Sequence, residues 1–399
     1  MRADDTTAGP AGAPRGLVPA LGLLSSMGPL SIAVYVPALP GLIGDLGASD
    51  SAGQLTLGAF TFGIAAGQLL LGPLSDRFGR RSILLLGIVL YIAMSIACAL
   101  APTVGVLIGA RFAHGIAGSA GIVVSRAVIR DTMFGDAAAR AFALFGAVIG
   151  IAPVVAPLLG ALLLRWTDWR GVFAAMAVIG GGMLLVALRA VPETLAAEQR
   201  TPAGPRSQAA AIGRVLSNGA FVAYVLVLSL ASLGLFAYVS MSPIVLQHEH
   251  GFDEQMFALV FAVNGAGVLV GSLLSRAFTG RLSAARLAVI GIGTGAVGAV
   301  GLLVAALVEA PLPFVLAALF VAVLVHGANI GNLTGLAMTA IRRDAGVASA
   351  VLGAVQMSMG AFVPPLASAG GATALVMGIT MSAGLVGALV LLLVIRRRA

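Results

Sequence analysis

The chain has 399 residues, 59% hydrophobic and only 10% charged, with a mean hydropathy of +1.06. Soluble domains average about 45–50% apolar residues, so this composition excludes a water-soluble globule and indicates an integral membrane protein. A pI of 11.1 does not indicate nucleic-acid binding, because the 23 basic residues, all arginine, are strung between apolar runs with no basic patch interleaved with aromatics.

Crossing a hydrocarbon core of about 30 Å takes roughly 20 apolar helical residues. Twelve runs qualify, at residues 17–40, 52–74, 82–101, 104–127, 140–164, 170–190, 216–240, 255–276, 286–308, 312–338, 346–369 and 373–395. The first is longer than a signal-peptide core and leads directly into a second span, so it is read as retained. It contains "SIAVYVPALP", with Tyr35 between an apolar stretch and two prolines, Pro37 and Pro40. After the second span comes "GPLSDRFGRR", Gly72 to Arg81. Gly72 and Pro73 suit a helix end and close packing, and Gly79 suits a tight turn. Asp76, Arg77, Arg80 and Arg81 then sit at the membrane surface. The arginines are explained by lipid phosphates and topology; Asp76 is not. Cys98, the single cysteine, lies in an apolar run and excludes a disulfide framework.

The fourth span carries Arg111. A central arginine costs about 2.5–3.5 kcal/mol on insertion scales, so it requires a polar cavity or partner unless it snorkels to the surface. His114, three residues on, shares nearly the same helix face and is either a titrating group or one hydrogen-bonder in place of another. In the fifth span Gly146 and Gly150 permit close helix approach, and Pro153 and Pro157 remove two backbone donors one turn apart, predicting a bend. Residues 191–215 form the long polar break that divides twelve spans into six and six. The expected layout is a tail (1–16), a first six-helix bundle (17–190), a linker (191–215), a second bundle (216–395) and a tail (396–399).

A faint repeat supports this division. "GSLLSRAFTGR", Gly271 to Arg281, echoes the loop after the second span at an offset of 199 residues, with Ser275 in place of the acid. Further glycines at four-residue spacing, Gly267 and Gly271, then Gly327, Gly331 and Gly335, suit helix packing. "GAGVLVG" is not a dinucleotide loop, since no strand precedes it, and without lysine there is no Walker motif. "HEH" at His248 to His250 lacks companions for a metal. Neither metal nor cofactor is expected, and no nucleophile, base and acid converge as in an enzyme. Asn264, His326, Asn329, Asn332, Gln356, Met357 and Met359 are candidates to line a cavity with Tyr35; each also suits interhelical bonding or packing. These uncharged groups suit a moderately polar substrate.

With both termini in the cytoplasm, twenty of the 23 arginines are cytoplasmic, two (Arg165 and Arg170) are external and Arg111 is intramembrane, an asymmetry that fixes orientation by the positive-inside rule. All fifteen acids fall at span ends or in loops, so no carboxylate sits near the midplane.

"GPLSDRFGRR" resembles the loop signature of the major facilitator superfamily. "RFAHGIAGSAGIVVSRAVIRD" (Arg111 to Asp131) and "AGVASAVLGAVQMSMGA" (Ala345 to Ala361) resemble the fourth and eleventh spans of its Bcr/CflA drug-efflux branch, and "FGAVIGIAPVVAPLLG" (Phe145 to Gly160) resembles its antiporter motif. The resemblance implies an all-α membrane protein of two pseudo-symmetric six-helix bundles around a central cavity, and a drug/proton antiporter. It implies that Asp76 latches against the cytoplasmic start of the eleventh span near Gly346 to Ser349, with Arg130 as a further partner. It places Arg111 in proton coupling and substrate handling, and Pro153 and Pro157 at a hinge. Three departures stand out: His114 where glutamine is commoner, Ala152 where glycine is commoner in the antiporter motif, and Ala33 where relatives carry the aspartate expected to accept the proton. The expected function is therefore export of a small neutral or weakly polar compound by a monomer in the cell membrane, with protons as coupling ion through the Arg111 and His114 region. A proton-independent facilitator or importer, and a non-transporting sensor, are the alternatives.

Overall fold

The computed structural model describes residues 16–133, 135–200, 205–341 and 344–398. Among them the secondary structure is helical, with a single isolated bridge, Thr279 to Leu282, and no strand. Eleven segments are long and apolar enough to cross a membrane. The remaining expected span is α7 (Gly135–Leu164), helical throughout, whose described apolar part is Val154–Leu164.

The first span is broken. α1 (Leu17–Ser25), α2 (Met27–Ala33), a 3-10 turn (Val36–Ala38) and α3 (Leu39–Asp45) follow one another. Pro37 and Pro40 stand in the first turns of the last two pieces, where a missing N–H is harmless. α4 (Asp50–Phe78) corrects one expectation: the helix does not end at Gly72 and Pro73 but runs through Pro73 to Phe78. It stops at Gly79, whose φ of 96° suits glycine. A side chain at Gly72 meets no atom of the protein, so close packing is not its role.

α5 (Arg80–Ala99), α6 (Val104–Thr132), α7 and α8 (Trp169–Ala190) complete the first half. The expected linker contains a helix, α9 (Pro205–Leu216), which is short and amphipathic and buries Ala211 and Val215. The second half comprises α10 (Gly219–Ile244) with a π-turn after it, α11 (Glu254–Phe278), α12 (Ala284–Leu307), α13 (Leu312–Leu324), α14 (His326–Thr339), α15 (Ala345–Ala367) and α16 (Ala374–Arg398). α13 and α14 form one span interrupted at Val325, where Gly271 of α11 lies against the Leu324 carbonyl. Gly331 and Gly335 pack against nothing within reach of an added side chain. Residues 1–15 of the expected tail (1–16) and Arg342 and Arg343 lie outside the described residues, while the other tail is helical to Arg398.

The halves meet chiefly where α4 packs on α15 and α7 on α11. The hydrogen bonds that join them concentrate at the end away from the termini. Ser51 Oγ donates to the Pro365 carbonyl, Ala372 N–H to Asp50, Gln247 to the Pro37 carbonyl and Gln255 to the Ala161 carbonyl. One turn and two turns deeper on α4, Ser240 Oγ donates to Gln54 Oε1 and Gly58 lies against the Ala361 carbonyl. Phe62 meets Phe362 edge to face, 5.0 Å between centroids. One end of the molecule is thus sealed by a continuous seam along α4.

Candidate functional site

Arg111, eighth residue of α6, has no exposed surface. It does not snorkel. Its guanidinium carbon lies 4.0 Å from the Phe60 ring centroid, 4.8 Å from Tyr35 and 5.5 Å from Phe173, so α4, the broken first span and α8 each supply an aromatic face. Desolvated cation–π contacts are worth about 2 kcal/mol or more, which offsets part of the cost of burying the charge. Nη1 lies 3.2 Å from His114 Nδ1, whereas Nε and Nη2 have no hydrogen-bond partner.

The partners of His114 define its tautomer. Guanidinium nitrogen only donates, so Nδ1 accepts from Arg111 and the ring proton is on Nε2. Nε2 donates to Ser95 Oγ at 3.0 Å, and Ser95 Oγ donates to the Tyr91 carbonyl at 2.8 Å. The ring is held against Tyr91 (4.4 Å) and Phe60 (5.2 Å). His114 is therefore neutral here, and a second proton on Nδ1 faces the guanidinium. The nearby hydroxyls are committed elsewhere. Ser31 Oγ donates to the Met27 carbonyl and accepts from Tyr91 OH at 2.6 Å; Thr56 Oγ1 donates to the Gly53 carbonyl and accepts from Tyr35 OH at 2.7 Å. Phe60, Phe173, Tyr91, Ser95, Ser31 and Thr56 were not visible as site residues in sequence, where aromatics and serines in apolar spans look like ordinary packing.

The candidates of the second half are distributed rather than gathered. Asn264 Nδ2 donates to Tyr238 OH at 2.9 Å and Gln356 Nε2 to Ser232 Oγ at 2.7 Å, both buried. Asn332 is taken up by Ser275 at 2.9 Å, near the end of α11 that carries the repeat of the signature loop. His326 and Asn329 are buried, with Asn329 Oδ1 unpartnered; Met357 and Met359 are half-buried. Gly146, Gly150 and Pro153 fall within helical α7, but their surroundings lie outside the described residues; Pro157 is buried.

At the end bearing the termini, the ion pair that Asp76 makes among the described residues is within its own half. Its partner is Arg80, one turn on, whose Nη1 bonds Asp76 Oδ1 and Ser75 Oγ while Nε bonds Asp131 at 3.0 Å. Arg130, the expected further partner, is exposed. Asp344, which precedes α15, is gripped by Arg214 of α9 through Nε and Nη2, both at 3.0 Å. Arg77 lies over Phe78, and Arg81 Nη2 donates to the Leu188 carbonyl. Sequence reading missed Glu193, which accepts the backbone N–H groups of Arg80 (2.9 Å) and Arg81 (3.2 Å) and so caps α5 from the linker. Burial works to raise its pKa, but four backbone donors, on Leu195, Arg80, Arg81 and Thr194, hold it below the usual glutamate range.

Two half-bundles, a seam along one face of α4 and a charged signature loop at the other end define the architecture in which comparison becomes informative. The sequence model described as Major Facilitator Superfamily matches residues 21–364. The chain belongs to the major facilitator superfamily. Among the similar proteins, the uncharacterized MFS-type transporter YdgK of Bacillus subtilis is 36% identical over 364 residues, 90% of each chain. The bicyclomycin resistance protein homolog of Haemophilus influenzae is 29% identical over 348 residues, 87% of each. A crystal structure of a D-xylose–proton symporter superposes with a TM-score of 0.73 at 19% identity, covering 94% of this chain and 97% of that one, a likeness of fold. This is a transporter family and not an enzyme family, in keeping with a drug-efflux-type member of the superfamily.

Proposed function

We propose that this major facilitator protein exports a small neutral or weakly polar compound by alternating access, in exchange for protons, as a monomer with both termini in the cytoplasm. The observation that carries the coupling is the buried Arg111–His114 pair. A guanidinium that stays in place holds His114 neutral; one that withdraws frees Nδ1 for a proton, so movement of the first half about α6 is linked to protonation. No carboxylate among the described residues sits at mid-depth to do this instead. With the arginine-rich end inside, the sealed seam is external and the molecule is poised to load from the cytoplasm. The uncharged polar groups of the second half, Asn264 and Gln356 foremost, suit such a cargo.

One charge crossing 100 mV supplies about 2.3 kcal/mol, enough for roughly a 50-fold gradient of a neutral solute. Proteoliposomes test the proposal, with bicyclomycin as first probe because of the relative's resistance. Adding drug to one side should move protons across in the opposite sense to drug. Drug flux without any pH change refutes antiport and favours the second reading, a proton-independent facilitator, which the missing mid-depth carboxylate at Ala33 supports.

A further inference from the structure

Among the described residues no carboxylate neutralises the charge of Arg111. Its Nη1 serves His114, and Nε and Nη2 are left unpartnered with no exposed surface on the residue. Those two nitrogens lie along one edge of the guanidinium, the edge whose parallel N–H bonds match the two oxygens of a carboxylate. The rings of Phe60, Tyr35 and Phe173 cannot fill it, because cation–π contacts occupy the face of the group and leave its edge donors unmet. Nor do the neighbouring hydroxyls fill it, since no oxygen of Tyr35, Tyr91 or Ser95 is a hydrogen-bond partner of Nε or Nη2. Ala33, apolar and buried, belongs to the same packed cluster as Tyr35 and Phe173 and contributes no charge.

We propose that the Nε and Nη2 edge of Arg111 is a binding site for a small monocarboxylate. Two parallel charge-assisted hydrogen bonds hold it, and the three rings exclude water around it. Tyr35, which covers the guanidinium, stands between α2 and the 3-10 turn, on the broken part of the first span. Discontinuous spans are where transporters place ligands, and displacement of this segment opens the edge; entry thus rests on the alternating-access reading, while binding does not depend on proton coupling. The carboxylate is either a free ion or the acidic group of a transported compound, and the chemistry at Arg111 is the same.

The test uses the full chain, purified in detergent at constant ionic strength made up with sodium sulfate. Acetate and benzoate should each raise Tm saturably, and acetamide and benzamide, the neutral isosteres, should not. Arg111→Lys, which keeps the charge without the edge, should raise the half-saturating acetate concentration about tenfold or more, and Arg111→Gln should abolish the response. Should Arg111→Gln fail to fold, the carboxylate-over-amide selectivity of the parent and the Arg111→Lys shift still decide. No acetate response in the parent, equal responses to acetate and acetamide, or an undiminished response in Arg111→Gln overturns the proposal. Radiolabelled benzoate in proteoliposomes separates the sources: Arg111-dependent flux makes the carboxylate part of the cargo, and binding without flux makes it a resident ion. Binding that persists where no drug is exported would sink the export reading and leave the site standing.

Discussion

Two residues in the first half show how burial and partner choice create a site without a carboxylate. Phe60 offers the nearest ring to the Arg111 charge, at 4.0 Å. Phe60→Leu keeps most of the apolar volume and removes the ring, so it should destabilise the protein by about 2 kcal/mol or more, read as a lowered denaturation midpoint; an unchanged midpoint would show that the rings merely fill space. His114 accepts from Arg111 at one nitrogen and donates to Ser95 at the other, and glutamine offers one acceptor and one donor of similar reach. His114→Gln should therefore fold and bind drug as the parent does, yet shift or abolish the pH dependence of export, because glutamine cannot titrate. Superimposable pH profiles for parent and variant would remove the histidine from coupling. Arg111 and His114 were legible in sequence because a charge in an apolar span must be explained. Their cage was not, since Phe60 and Phe173 carry no signal that distinguishes a ring facing a cation from one facing a leucine.

The linker between the halves is held at both of its ends. Glu193 caps α5 through the Arg80 and Arg81 N–H groups, and Arg214 of α9 grips Asp344 at the start of α15. Glu193→Ala should release the first attachment and speed tryptic cleavage at Arg200, which lies 4.0 Å from the Glu193 carboxylate, several-fold at neutral pH; an unaltered cleavage rate would mean that the cap holds nothing. The pH dependence follows from the sign of the shift. Because the folded-state pKa of Glu193 is lowered, the docking it provides is complete above the ordinary carboxylate range, about 4, and is lost as pH falls through the lowered value. Amide exchange at Thr194 and Leu195, whose N–H groups it also accepts, should accelerate, relative to the intrinsic rate, only in that acid window. Spans were readable from hydropathy to within a few residues because lipid imposes a minimum apolar length. The helix through Pro73 and the ordered α9 were not, since the first depends on where Gly79 allows the chain to turn and the second on apolar contacts with distant helices.

Across the whole molecule the sealed seam and the pairing of Asp76 within its own half are features of one state. Asp50, Gln54 and Gly58, four residues apart on α4, meet the second half at the end away from the termini, while Asp76 at the other end of the same helix is bound to its own half through Arg80. If the halves rock as rigid bodies, opening the seam must close the opposite end and carry Asp76 toward the start of α15. A valine at position 58 tests this, because its side chain would collide with the Ala361 carbonyl backbone, and forced overpacking of this kind typically costs about 1–3 kcal/mol, comparable to the few kcal/mol that separate transporter states. In a Cys98→Ser background, Asp76→Cys paired with Gly346→Cys should give little disulfide in the parent. Adding Gly58→Val should raise the yield several-fold and abolish export while the protein remains folded by circular dichroism. Gly346 is exposed, with open space around it, so the cysteine itself should not disturb the resting state. An equal disulfide yield with and without the valine would show that the two ends of α4 are uncoupled, and rigid-body alternation would then have to be abandoned for a local gate at one end.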